Sequence, residues 1–160
     1  MLIKNVLLSL LILVSIDSFY LFFIKTLFEK HISLIQNSPL NINMHGVIIC
    51  YIFLVVGLNY FILSTNKGVM DAFILGLVIY AVFESTNLAL FKKWPYFFVL
   101  VDTLWGGILF ALTTYIVRLI KWYSIMRTAA RLLRYTSWCI VNSWIRINSS
   151  NWNKIDLLSI

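Results

Sequence analysis

Four long apolar runs divide most of this chain and leave few folds open. A bilayer core of about 30 Å is crossed by roughly 20 apolar residues of helix. The runs cover about residues 5–24, 46–64, 69–91 and 96–120. The first, NVLLSLLILVSIDSFYLFFI, follows Lys4 and outruns a signal sequence without meeting a small-residue cleavage site, so it reads as an uncleaved span. The connectors hold the expected breakers, in NSPLNINMHG, TNKG and KKWP. Pro95 suits the first turn of a helix, where its missing N–H costs little. The runs predict an all-α integral membrane protein built on a bundle of four transmembrane helices. Composition agrees: with 61% hydrophobic and 12% charged residues, 160 residues hold too much apolar surface for one water-soluble core. Cys50 and Cys139 sit alone in apolar surroundings and read as small buried hydrophobes.

Four spans put both ends of the chain on one side. That side collects Lys4, Lys67, Arg118, Lys121, Arg127, Arg131, Arg134, Arg146 and Lys154, while the other collects only Lys25, Lys30, Lys92 and Lys93. Excess Lys and Arg mark the cytoplasmic, non-translocated face, so both termini are expected there.

The acidic residues are more telling. Of six, Glu29, Asp71 and Asp156 are expected in loops or the tail, whereas Asp17, Glu84 and Asp102 fall inside spans one, three and four. Asp17 lies eight residues before Lys25, Glu84 eight before Lys92, and Asp102 nine after Lys93. At 1.5 Å of rise per residue, all three lie about 12–14 Å below the outer lysines. Three carboxylates facing lipid would be costly to insert, so they are expected to face inward. Close together in a dry place they cannot all stay ionised, and a shared proton follows. No Lys or Arg lies in the same layer. Tyr80 and Asn87 share a helix face with Glu84, and Trp105 and Gly106 follow Asp102 by three and four residues. Tyr20 follows Asp17 by three, and Gly106 and Gly107 would let a neighbouring helix approach closely.

These residues carry a resemblance. ESTNLALFKKWP followed by VDTLWGG is similar to a small family of polytopic membrane proteins, found chiefly in bacteria and catalogued as a domain of unknown function (2177). Tyr80, Thr86, Asn87, Trp94, Pro95, Asp102, Trp105 and Gly106 match its pattern, and CYIFLVVGL resembles its second span. Asp17 matches an aspartate of the first span. Glu84 stands where the family usually has Asp, Phe83 where it has Tyr, and Tyr20 where a Trp is expected. The resemblance covers about residues 1–118 and implies a fold and a polar site, not a reaction.

Residues 121–147 depart from that family. Arg127, Arg131 and Arg134 form one stripe at i, i+4, i+7 spacing, while Trp122, Ile125, Met126, Ala129, Leu132 and Leu133 cover the rest of the helix. A basic stripe and a Trp-bearing apolar face predict an amphipathic helix in the inner interface, against anionic lipid head groups. Residues 148–160 read as a polar tail.

Phosphate loops, metal spacings and hydrolase signatures are absent from the sequence, so no catalytic residue, metal or cofactor is expected. His31 and His45 read as loop residues, and Trp94, Tyr96 and Trp122 as interface markers at span ends. The expected partners are the bilayer, anionic head groups and either further copies of the chain or subunits of a membrane complex. Nucleic acid is not among them. The first expectation for function is a structural subunit or scaffold. The alternatives are a small proton- or cation-linked transporter and, third, a lipid-modifying enzyme.

Overall fold

The computed structural model describes residues 2–155, with side chains described for residues 4–136, Trp138 and Asn142. The helices are α1 (Leu2–Gln36), α2 (Met44–Leu58), α3 (Val69–Leu90) and α4 (Tyr96–Ile155). A π-helical turn, Asn59–Leu63, continues α2. Four of these elements are long and apolar enough to cross a membrane, and no strand occurs among the described residues. The chain divides into two compact units, Met1–Arg118 and Leu119–Ile160.

Local chemistry fixes the helix ends. Asn43 caps α2, its side-chain oxygen accepting from the backbone N–H of His45 at 3.0 Å and of Gly46 at 3.4 Å. Asp71, in the first turn of α3, accepts from the Gly68 N–H at 2.7 Å. Asn37 ends α1 in the left-handed region, at φ 52°.

The core of the first unit joins Leu13 of α1, Leu54, Val55 and Leu58 of α2, Ala72 of α3, and Leu109 and Phe110 of α4. Large apolar residues such as Phe22, Phe53, Met70 and Val82 point outward. Hydrocarbon solvates them as well as a core would, so the buried face is free to hold small and polar residues.

Several expectations are corrected. α1 continues twelve residues past Ile24, because no glycine or proline interrupts it before Asn37. His31 and Glu29 are therefore helical rather than in a loop; His31 Nδ1 lies 2.8 Å from the Leu27 carbonyl oxygen and Glu29 pairs with Lys25 at 3.5 Å. His45 lies in the first turn of α2. α4 runs unbroken through residues 120 and 148, since neither Gly nor Pro follows Gly107 to open its hydrogen-bond ladder, while the two units divide between Arg118 and Leu119. Cys50 is exposed on α2 rather than buried. The side chain of Cys139 and residues 156–160 lie outside what the structure describes.

Candidate functional site

α1 and α4 meet through a reciprocal pair of motifs. Each carries an aspartate followed by an aromatic donor three residues on: Asp17 and Tyr20 in α1, Asp102 and Trp105 in α4. That spacing puts acid and ring on one face of each helix. The Trp105 indole N–H donates to Asp17 Oδ1 at 2.9 Å, and the Tyr20 hydroxyl donates to Asp102 Oδ1. Between these crossed bonds the Tyr20 and Trp105 rings stack, with centroids 4.2 Å apart. The crossing requires the two helices to run antiparallel.

α2 joins through Tyr51, whose hydroxyl donates to Asp17 Oδ2 at 2.7 Å. The two oxygens of Asp17 thus accept from two different helices. Glu84 of α3 accepts at 2.8 Å from the indole N–H of Trp94, which lies in the short connector before α4. Asn87, one turn further along α3, interacts with the same carboxylate.

All three carboxylates are buried, Glu84 to 1% exposure, and each is held by a neutral aromatic donor. Among the described residues the ion pair is the surface one between Lys25 and Glu29, so no basic side chain neutralises the layer. Asp17, Tyr80, Glu84, Asp102 and Trp105 line one cavity of about 150 Å³, with Phe28 also on its wall. These were the residues singled out from depth and helix face, and the fold brings them together. Asn87 contacts Glu84 without lining the cavity.

Glycine makes room for this arrangement. A Cβ on Gly106 would stand 2.2 Å from the Tyr80 ring, and one on Gly76 would stand 2.1 Å from the Gly106 carbonyl oxygen. α3 and α4 are therefore in backbone contact where Tyr80 enters the layer.

A second polar group lies toward the other end of the bundle. Asn59 Nδ2 donates to Ser9 Oγ at 2.7 Å and to the Val55 carbonyl at 2.9 Å. Thr113 and Thr114 are fully buried on α4; the Thr113 hydroxyl donates to the Leu109 carbonyl at 2.7 Å, whereas the Thr114 hydroxyl has no partner. Leu13, Leu109 and Phe110, all fully buried, lie along their helices between these residues and the acid layer.

Tyr51 and Trp94 were not foreseen as donors. Tyr51 carries one of the few polar groups of its span, and that was its signal. For Trp94 the signal was its place in the family pattern, although a Trp at a span end ordinarily marks the interface. The basic residues Arg127, Arg131 and Arg134 belong to the second unit, where every described side chain from Trp122 to Thr136 is exposed. The Arg127 guanidinium lies over the Tyr123 ring, 5.9 Å from its centroid.

In comparison with known proteins, a family described as "Predicted membrane protein (DUF2177)" matches residues 2–119. No curated protein and no solved structure matches the chain.

Proposed function

The chain belongs to the DUF2177 family of membrane proteins, and from that premise we propose that its acid layer binds a proton or a small ammonium-type cation inside the bilayer. The observation that carries this reading is the cavity of about 150 Å³ walled by three carboxylates and by aromatic rings. Tyrosine and tryptophan donors hold the acids in place without cancelling their charge. A neutral amide at each position would join the helices at far lower insertion cost. The charge therefore calls for a counterion, and the electron-rich faces of Tyr20, Tyr80 and Trp105 suit a compact organic cation. Among the described residues no group of acids, histidines or cysteines is spaced to hold a metal ion, which favours a proton or an amine. Passage to the other side would use further copies of the chain, because a packed apolar core underlies the layer. The test is uptake of protons or methylammonium into proteoliposomes, with Glu84→Gln as control; uptake no faster than in empty vesicles removes the reading.

One observation favours a second reading, a scaffold. The crossed Asp17–Trp105 and Tyr20–Asp102 bonds tie α1 to α4 whatever the cavity holds. If Asp17→Asn and Asp102→Asn weaken the bundle while uptake persists, the scaffold is the better account.

We also propose that the second unit meets anionic head groups on the cytoplasmic side, the side of both termini. Residues 119–160 hold six Lys and Arg against one Asp, or +5 of the net +7. Each basic residue near an anionic surface contributes about 1 kcal/mol. Trp122 fluorescence in nanodiscs should shift to the blue when anionic lipid is added and recover in high salt. No shift counts against the contact.

A further inference from the structure

We infer that the segment from Phe91 to Phe98 is a lid over the outer end of the acid cavity, and that Trp94 is its latch. The inference rests on the cavity reading above and adds how the cavity is entered.

The two ends of the cavity are flanked by different materials. Beyond the acid layer on one side lies the core cluster of Leu13, Leu109 and Phe110, all at 0% exposure. Opening that end means repacking the core in which all four helices meet. The other end is flanked by rings. Phe28, which lines the cavity, lies 6.2 Å from the Trp94 ring and 4.9 Å from the Phe98 ring, centroid to centroid. Phe98 is 2% exposed, and the His31 ring stands edge-on to it at 5.0 Å.

Both Trp94 and Phe98 belong to the short stretch that turns the chain from α3 into α4. It is folded on itself by Trp94 N–H to the Phe91 carbonyl and Phe98 N–H to the Pro95 carbonyl, each at 3.1 Å. Its side-chain hydrogen bond to the layer is the indole N–H of Trp94 on Glu84 Oε2, at 2.8 Å. Glu84 also lines the cavity. One acid therefore faces the contents and fastens the cover. Displacing this segment breaks one polar bond and the ring contacts of Phe98, and it leaves the Leu13, Leu109 and Phe110 cluster in place. Short connectors of this kind are the parts of a fold that open at lowest cost.

The test uses the full chain in nanodiscs and a water-soluble carbodiimide with a small amine as trap. Modification of Asp17 and Asp102, neither of which touches Trp94, is followed by peptide mass spectrometry. Trp94→Phe keeps the ring and removes the donor; Glu84→Leu removes the acceptor. Loss of a hydrogen bond to a carboxylate corresponds to about tenfold or more in the opening equilibrium. Each variant should therefore label both aspartates about tenfold faster, and the double variant should label no faster than either single one. Additive rates, or unchanged rates in both variants with melting temperatures near that of the parent, overturn the lid. The assay reads covalent labelling and not transport, so a failed uptake experiment leaves its result intact.

Discussion

Tyr20 and Trp105 stack with planes 11° from parallel, and each donates a hydrogen bond to the aspartate on the other's helix. The two bonds and the stack are one unit. Tyr20→Phe removes the donor to Asp102, and Trp105→Phe removes a donor to Asp17. Each should cost about 1–2 kcal/mol, the range for polar contacts between membrane helices. The double variant should cost less than the sum, by about 0.5 kcal/mol or more. Unfolding in mixed micelles, run as a double-mutant cycle, checks this; strict additivity would mean the two motifs act separately.

The glycines of α3 and α4 should differ in sensitivity. Gly76→Ala drives a methyl into the Gly106 carbonyl, which is backbone and cannot step aside. Gly107→Ala meets the Phe73 ring at 2.7 Å, which can swing. We expect Gly76→Ala to lower the melting temperature most and Gly107→Ala least. Gly106→Ala displaces the Tyr80 ring and should reduce carbodiimide access to the acids. Melting in detergent ranks the three, and equal melting temperatures would refute the order.

Thr113 and Thr114 are adjacent, both fully buried, and differ in one bond. Thr113→Val gives up the contact to the Leu109 carbonyl; Thr114→Val replaces an unpartnered hydroxyl by a methyl. The second change should be neutral or stabilising, by up to about 1–2 kcal/mol, since an unsatisfied buried hydroxyl is itself a cost. A destabilised Thr114→Val would point to an acceptor for that hydroxyl.

Glu84→Gln and Glu84→Leu should separate charge from architecture. The Gln amide oxygen can still accept from Trp94, so the variant should melt within about 1 kcal/mol of the parent. Uptake of methylammonium should nevertheless fall at least tenfold, because the carboxylate is gone. Uptake surviving in Glu84→Gln would shift the binding role to Asp17 and Asp102.

The depth of the three acids could be counted from the flanking lysines, and their helix faces followed from i, i+3 and i, i+4 spacing. Tyr80 and Trp105 were legible on that ground. What could not be counted was rotation. Whether Tyr51 turns toward Asp17 depends on how α2 is rolled against α1, and an evenly apolar span gives no stripe from which to read its roll. The role of Trp94 as a donor was hidden for a related reason: its bond to Glu84 depends on the path of a connector, not on a helical period. The length of α1 beyond the membrane level was hidden because polar residues after Ile24 look like a loop until one notes that nothing breaks the helix.

The π turn at Asn59–Leu63 has a consequence for the length of the second span. The Ser64 N–H bonds to the Asn59 carbonyl at 2.9 Å, five residues back, so this turn holds one residue more than an α-turn would. α2 leads into this turn and no helix follows it before α3, so the surplus residue falls at the very end of the span. Anywhere else in the four spans, removing one residue swings every following side chain by about 100° and turns core out to lipid. Removing Tyr60 or Phe61 from this last turn restores the ordinary ladder, and every preceding residue of α2 keeps its face. The span carries its own spare link, and there the chain could shorten by one residue without changing what it presents to its neighbours.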